Sequence, residues 1–179
     1  NHSLTDDDFS RSKKASNQLA KRGPYAEGIK NYDTAILVHR RLSIIDTNAS
    51  SNQPMEDFSA RYSIVFNGEI YNHLELRTRF ALHCQTRSDT ETLLRLYEKK
   101  GAAMLPELDG MFAFAIFDYD RNELVLARDR MGKKPLYIAQ ASGTLLFASE
   151  LKAILQHPTF KSKLNLNALN QYLTLDLPS

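Results

Sequence analysis

The stretch Phe66-Asn67-Gly68-Glu69-Ile70-Tyr71-Asn72 sits where two kinds of sequence meet. Before it, Arg61-Tyr62-Ser63-Ile64-Val65 has the β-branched and aromatic make-up of a buried strand, and after it comes a segment with helix-start chemistry. The junction predicts that Asn67 to Glu69 occupy a strand-to-helix turn. Such a turn can present an amide side chain, a backbone N–H unshielded by any Cβ, and a carboxylate to one small ligand. Taken alone, the three residues also read as a polar turn with a helix cap.

Downstream, Asn72 with Glu75 has capping-box form and opens a helix to about Phe80. Ser88-Asp89-Thr90-Glu91 repeats that form ahead of a leucine-rich helix closing near Gly101, so Asp89 falls at a helix N-terminus, where a carboxylate is expected to stay ionised. Met111 to Asp118 alternates small Ala113 and Ala115 with large Phe112, Phe114 and Ile116, the period of a strand. Strands over 123–127, 136–139 and 145–148 extend this into an antiparallel meander, and short helices over 151–155 and 167–173 close the chain. Arg128, Arg130, Lys133 and Lys134 lack interleaved aromatic residues and read as a solvated turn.

Upstream, Thr5 to about Arg22 reads as a surface helix, with Asp6, Asp7 and Asp8 in its first turn and Lys21 and Arg22 at its end. Strands are expected over 34–39 and 42–45, with Arg40 and Arg41 between them, followed by a polar loop from Asp46 to Pro54. Strands with helices before, between and after them predict an α+β layered domain with antiparallel sheets.

The 179 residues, 25% charged and 42% hydrophobic, suit one globular domain. A net charge of +2 gives no strong field for nucleic acid, and no apolar run approaches the ~18 residues that span a bilayer. A single cysteine excludes an internal disulfide, and five scattered histidines offer no zinc spacing. The cytoplasm is the compartment expected. Asn1 stands where a methionine would open a gene product, so the biological start need not be Asn1.

Seven motifs, in order, resemble the glutaminase half of the asparagine synthetases. They are His39-Arg-Arg-Leu-Ser-Ile-Ile-Asp46, Asn52-Gln-Pro-Met55, Phe66 to Asn72, Ser88 to Glu91, Leu108 to Ala115, Ala127-Arg-Asp-Arg-Met-Gly-Lys-Lys-Pro-Leu-Tyr137 and Phe147 to Ala153. The likeness runs from Arg22-Gly23-Pro24 to the C-terminus. It implies a class II glutamine amidotransferase domain over residues 1–160, with 161–179 beginning a linker to a synthetase domain. It also implies the N-terminal-nucleophile hydrolase fold, a four-layer sandwich of two antiparallel sheets between helices. In that family an N-terminal cysteine thiolate attacks the glutamine side-chain amide, releases ammonia and leaves a thioester that water hydrolyses. The ammonia passes to the synthetase domain, which holds ATP and Mg; no cofactor or metal is implied for this domain.

Mapped onto this sequence, the resemblance places glutamine recognition on Arg41, on the following Leu42, Ser43, Ile44 and Ile45, whose last two residues contribute backbone, and on Asn67, Gly68, Glu69 and Asp89. Arg41 would hold the α-carboxylate, and Glu69 and Asp89 the ammonium. The Asn67 amide and the Gly68 N–H would form the oxyanion hole. Glutamine and the synthetase domain are the partners implied, aspartate or another carboxylate is the acceptor, and a homodimer is compatible with the sequence.

Two departures stand out. Tyr25 replaces the acidic residue usual after Arg-Gly-Pro, and residues 1–179 contain no N-terminal cysteine. Cys84 cannot substitute, because an interior cysteine has no α-amine to act as base; it reads as a small core residue. The second reading is a degenerate module that binds glutamine or a partner without hydrolysis.

Overall fold

The structure, a computed structural model, describes residues 4–21, 23, 26–41, 52–141, 143–158, 160 and 163–175. It opens with helix α1 (Asp6–Gln18), where Thr5 and Asp8 cap one another reciprocally. The helix stops sooner than its sequence predicts. Leu19 is already its C-cap and Lys21 lies in the turn beyond, so the expected basic end is not part of the helix. Strand β1 (Ala26–Asn31) then pairs antiparallel with β2 (Ile36–Arg41). The sequence did not announce β1, because Ala-Glu-Gly-Ile-Lys-Asn carries one β-branched residue and a glycine. The strand expected over 42–45 lies outside the described residues.

A four-stranded antiparallel sheet forms the centre, in the order β3 (Met55–Glu56), β4 (Tyr62–Ile70), β5 (Gly110–Asp118), β6 (Glu123–Arg128). Asn67 to Glu69 do not form a turn. They continue β4 and pair with Ala113, Phe112 and Met111 of β5. The polar, glycine-containing triplet imitates turn chemistry, but β5 begins early enough, at Gly110, to pair with it. Gly68 is needed there because a Cβ would come 2.1 Å from the Met111 carbonyl oxygen.

Two helices link β4 to β5: α2 (His73–Arg79) and α3 (Asp89–Lys100), the latter continued by a 3-10 turn over Gly101–Glu107. Neither expected capping box forms in full. Asn72 turns its side chain away, donating to the Glu107 carbonyl and accepting the Asp109 N–H. Ser88 caps α3 at the Thr90 N–H, while Glu91 accepts from the N–H groups of Gln85 and Thr86.

The expected meander breaks after β6. Strands β7 (Tyr137–Ala141) and β8 (Thr144–Ala148) make a separate hairpin, followed by α4 (Leu151–Ile154) and α5 (Leu166–Leu175). Helices combined with antiparallel sheets are the α+β class expected, with three sheets among the described residues. The turn after β6 is built around Asp129, which accepts from the N–H groups of Phe112, Lys133 and Lys134, while Arg128 donates to the carbonyls of Gly132 and Lys134.

The period of two along β5 separates the core in two. Phe112, Phe114 and Ile116 join Ile64, Phe66 and Leu93, Leu94 and Leu96 of α3 in the main cluster. Ala115 and Phe117 face the other way, with Val65 and Leu37.

Candidate active site

A cavity of about 490 Å³ opens on the Ala115 face of the central sheet, walled by α1, β2, β8 and α4. Its size is right for a small-molecule ligand. Asn67, Gly68, Glu69 and Asp89 all line it. Alternation along β4 puts Asn67 and Glu69 on the same face as Val65. Ala113 and Ala115, also in the wall, keep this side of β5 low enough to leave space.

Strand β3 covers β4 only as far as Ile64. Beyond that point no strand among the described residues pairs with this edge of β4, and the peptide groups facing it alternate. The Phe66 N–H is taken by Gln53 Oε1 at 2.6 Å, and His39 Nε2 lies 3.1 Å from the Phe66 carbonyl oxygen. The Ile70 N–H is taken by Asp89 Oδ2 at 3.0 Å. Gly68 falls between them. Its partner across β5, Phe112, already uses its own N–H and carbonyl on Asp129, so the Gly68–Phe112 pair is not hydrogen-bonded and the Gly68 N–H points to that edge. A backbone donor at the strand edge thus belongs to a residue that lines the cavity beside Asn67.

Asp89 begins α3, where the helix dipole favours its charge. Burial nevertheless outweighs that benefit and raises its pKa above the ordinary carboxylate value, against the lowering effect of the Ile70 N–H and of His73. His73 itself is held below its ordinary value by burial, although Asp89 and Glu69 both act to raise it. His73, at the head of α2, thus feels the charge of both Asp89 and Glu69, a link the sequence did not suggest.

Gln53 and Thr90 were likewise missed as wall residues. Gln53 stood inside a stretch that read as polar loop, and its motif in the resemblance carried no role. The described residues include Arg41 at the end of β2, without its side chain, and Leu42, Ser43, Ile44 and Ile45 lie outside them. Cys84 is only half-buried, its thiol is pushed up by burial, and it is not part of the described cavity wall. Among the described residues no group of three or more metal-ligating side chains gathers, and no helix is long and apolar enough to cross a membrane.

Helices and antiparallel sheets with a ligand-sized cavity beside β4 define an α+β domain with a candidate small-molecule cleft. A family model described as the glutamine amidotransferase domain matches residues 2–179, and the chain belongs to that family. It is 43% identical over 139 residues to asparagine synthetase B [glutamine-hydrolyzing] of Escherichia coli K12, covering 76% of this chain and 25% of that protein. It is 39% identical over 183 residues to a putative asparagine synthetase [glutamine-hydrolyzing] 2 of Methanocaldococcus jannaschii, covering 90% and 35%. Against asparagine synthetase [glutamine-hydrolyzing] 3 of Bacillus subtilis the identity is 36% over 162 residues, covering 88% and 26%. The chain spans about a quarter to a third of the length of the curated relatives it matches.

Proposed function

We propose that this domain binds glutamine in the cleft beside β4 and hydrolyses it to glutamate and ammonia, which a C-terminal synthetase domain uses for ATP-dependent amidation of aspartate or a related carboxylate. The observation that carries the reading is the edge of β4 beyond Ile64. There Gly68, a residue of the cavity wall, lies between two N–H groups that side chains have already taken.

The chemistry asks for three things, and the chain has a residue for each. The ammonium of glutamine meets Asp89 and Glu69, and its α-carboxylate meets Arg41, a bidentate donor that ends β2. The resemblance adds Leu42, Ser43, Ile44 and Ile45 to glutamine recognition, the last two through backbone groups. When a thiolate attacks the side-chain amide carbon, the oxygen gains a full negative charge. The Gly68 N–H and the Asn67 amide then hold that oxyanion until the α-amino group of the nucleophilic cysteine, which took up the thiol proton, passes it to the nitrogen, the C–N bond breaks, ammonia leaves and a thioester remains. Water hydrolyses the thioester to glutamate and returns the thiolate.

The thiolate belongs to an N-terminal cysteine, which residues 1–179 do not contain. The family likeness and the layering of sheets and helices support an N-terminal-nucleophile hydrolase-like sandwich. ATP and Mg²⁺ are assigned to the synthetase domain, and no residue here is given a part in holding them. The cytoplasm is the natural setting for such chemistry, and a homodimer is compatible with it.

The test uses the full-length protein. Asn67→Ala should lower kcat for glutamine hydrolysis about 10²–10³-fold, the cost of one oxyanion donor, and leave ammonia-dependent synthesis intact. Unchanged glutamine hydrolysis, or equal loss of both activities, would sink the reading.

A further inference from the structure

The residues proposed to recognise glutamine come from two elements that are distant in sequence. Asn67 to Glu69 ride on β4, and Asp89 rides on the first turn of α3. Something must fix one against the other, because a reacting group displaced by about 1 Å can cost on the order of 10² in rate.

Two fastenings do this, one on each side of the triplet. On the Ile70 side, Asp89 itself accepts the Ile70 N–H. On the Phe66 side the link is indirect. Gln53 Oε1 accepts the Phe66 N–H at 2.6 Å, and the amide nitrogen of the same side chain donates to Thr90 Oγ1 at 3.2 Å. Phe66 precedes Asn67, and Thr90 follows Asp89. One side-chain amide therefore joins the immediate neighbours of both recognition elements.

The joint is well enclosed. Gln53 is 9% exposed and Thr90 3%, so water has little access to replace either bond. Its entry to this position depends on Gly28, since a Cβ on that residue would lie 1.9 Å from the Gln53 carbonyl oxygen. The planar amide holds acceptor and donor at a fixed separation, a property shared with asparagine but not with any apolar side chain.

We infer that Gln53, acting through Thr90, is a positioning residue that sets the spacing between the oxyanion donors on β4 and the ammonium-binding carboxylate on α3. This rests on the glutamine reading of the cleft given above. Gln53 touches no reacting atom. Its bond to the Phe66 N–H keeps that strand edge in register for Gly68, and its bond to Thr90 keeps the head of α3 at the distance a bound glutamine spans.

The two bonds can be cut separately. In the full-length protein, Thr90→Val keeps the side-chain shape but removes the hydroxyl, freeing the helix while the Phe66 N–H stays capped. The glutamine KM should rise about 3–10-fold, the worth of one neutral hydrogen bond, with kcat near wild type. Thr90→Ser retains the hydroxyl and should restore KM. Gln53→Met cuts both bonds and should raise KM by a similar factor while also lowering kcat. The double variant should be no worse in KM than Gln53→Met alone, because the second change removes a bond already lost.

A purely structural Gln53 gives a different pattern: a lower fraction of active protein, with kcat reduced and KM unchanged in Thr90→Val and Thr90→Ser alike. That pattern overturns the inference. Asn67→Ala separates it from the reading beneath it. If Asn67→Ala impairs hydrolysis while Thr90→Val keeps a wild-type KM, the cleft stands and the Gln53 link falls; if Asn67→Ala has no effect, both fall.

Discussion

The first and second halves of β4 solve the same problem with different materials. Around Ile64 the strand has a backbone neighbour on each side, Met55 of β3 and Ile116 of β5. From Phe66 to Ile70 its strand neighbour among the described residues is β5 alone, and on the other edge side chains from elsewhere meet its peptide groups: Gln53, His39 and Asp89. A strand neighbour satisfies every second peptide group without discrimination. Side chains can satisfy two and leave the third, and here the third is Gly68. The difference teaches that side chains which cap the peptide groups on either side of one donor can leave that donor available.

The largest expected effect falls on the first half. Ile116 is 1% exposed and packs in the main cluster against the same face as Ile64. Ile116→Ala should cost about 2–5 kcal/mol of stability by removing buried methyl groups and leaving a cavity. Denaturant unfolding measures it. The glutamine KM of the protein that remains folded should stay near wild type, and a large KM change would mean that the two halves are not separable.

The same contrast explains what could be read in the sequence. The first half of β4 was legible from its β-branched and aromatic residues, and β5 from Met111 onward from its alternation of bulky and small side chains, both local signals. Asn67, Gly68, Glu69 and Asp89 were legible as candidates, and all four border the cavity. Their setting was not legible. Asn-Gly-Glu imitates a turn, and whether it becomes one depends on where β5 starts, which is set some forty residues away. Gln53 was hidden for a related reason. A glutamine in a polar loop carries no sign that its amide reaches both β4 and α3. Leu19 to Lys21 misled in the other direction, having helix propensity where the chain has already turned.

The second prediction acts on the second half. Asp89→Asn keeps the shape and an acceptor for the Ile70 N–H but removes the charge that faces the glutamine ammonium. Binding should weaken by about 1.5–3 kcal/mol, the range for a hydrogen bond to a charged group. Calorimetry on a nucleophile-minus full-length protein would read it directly. Unchanged affinity would mean that Glu69 alone carries the ammonium, and the fastening at Ile70 would then be the whole role of Asp89.

The smallest effect is the most specific, because it separates the cost of a built site from its use. Burial raises the Asp89 pKa in the free protein above the ordinary carboxylate value, with the Ile70 N–H and His73 only partly offsetting it. A group whose folded pKa is raised adds stability when protonated and loses that contribution as pH climbs through the folded pKa. At neutral pH, therefore, ionised Asp89 works against folding while, in the proposed reading, it holds the glutamine ammonium. Asp89→Asn should raise the melting temperature slightly at pH 7, with the gain shrinking as the pH falls and wild-type Asp89 takes up its proton. The glutamine KM of the wild type should rise on the acid side, beginning above the pH at which an ordinary aspartate would titrate, and Asp89→Asn should remove that limb from the profile. Thermal melts and KM measured across the same pH series test both arms together. If Asp89→Asn is less stable than wild type at pH 7, the bond from the Ile70 N–H to a charged acceptor outweighs the burial of that charge. Asp89 would then match the first half of β4 in being held for stability and not at its expense.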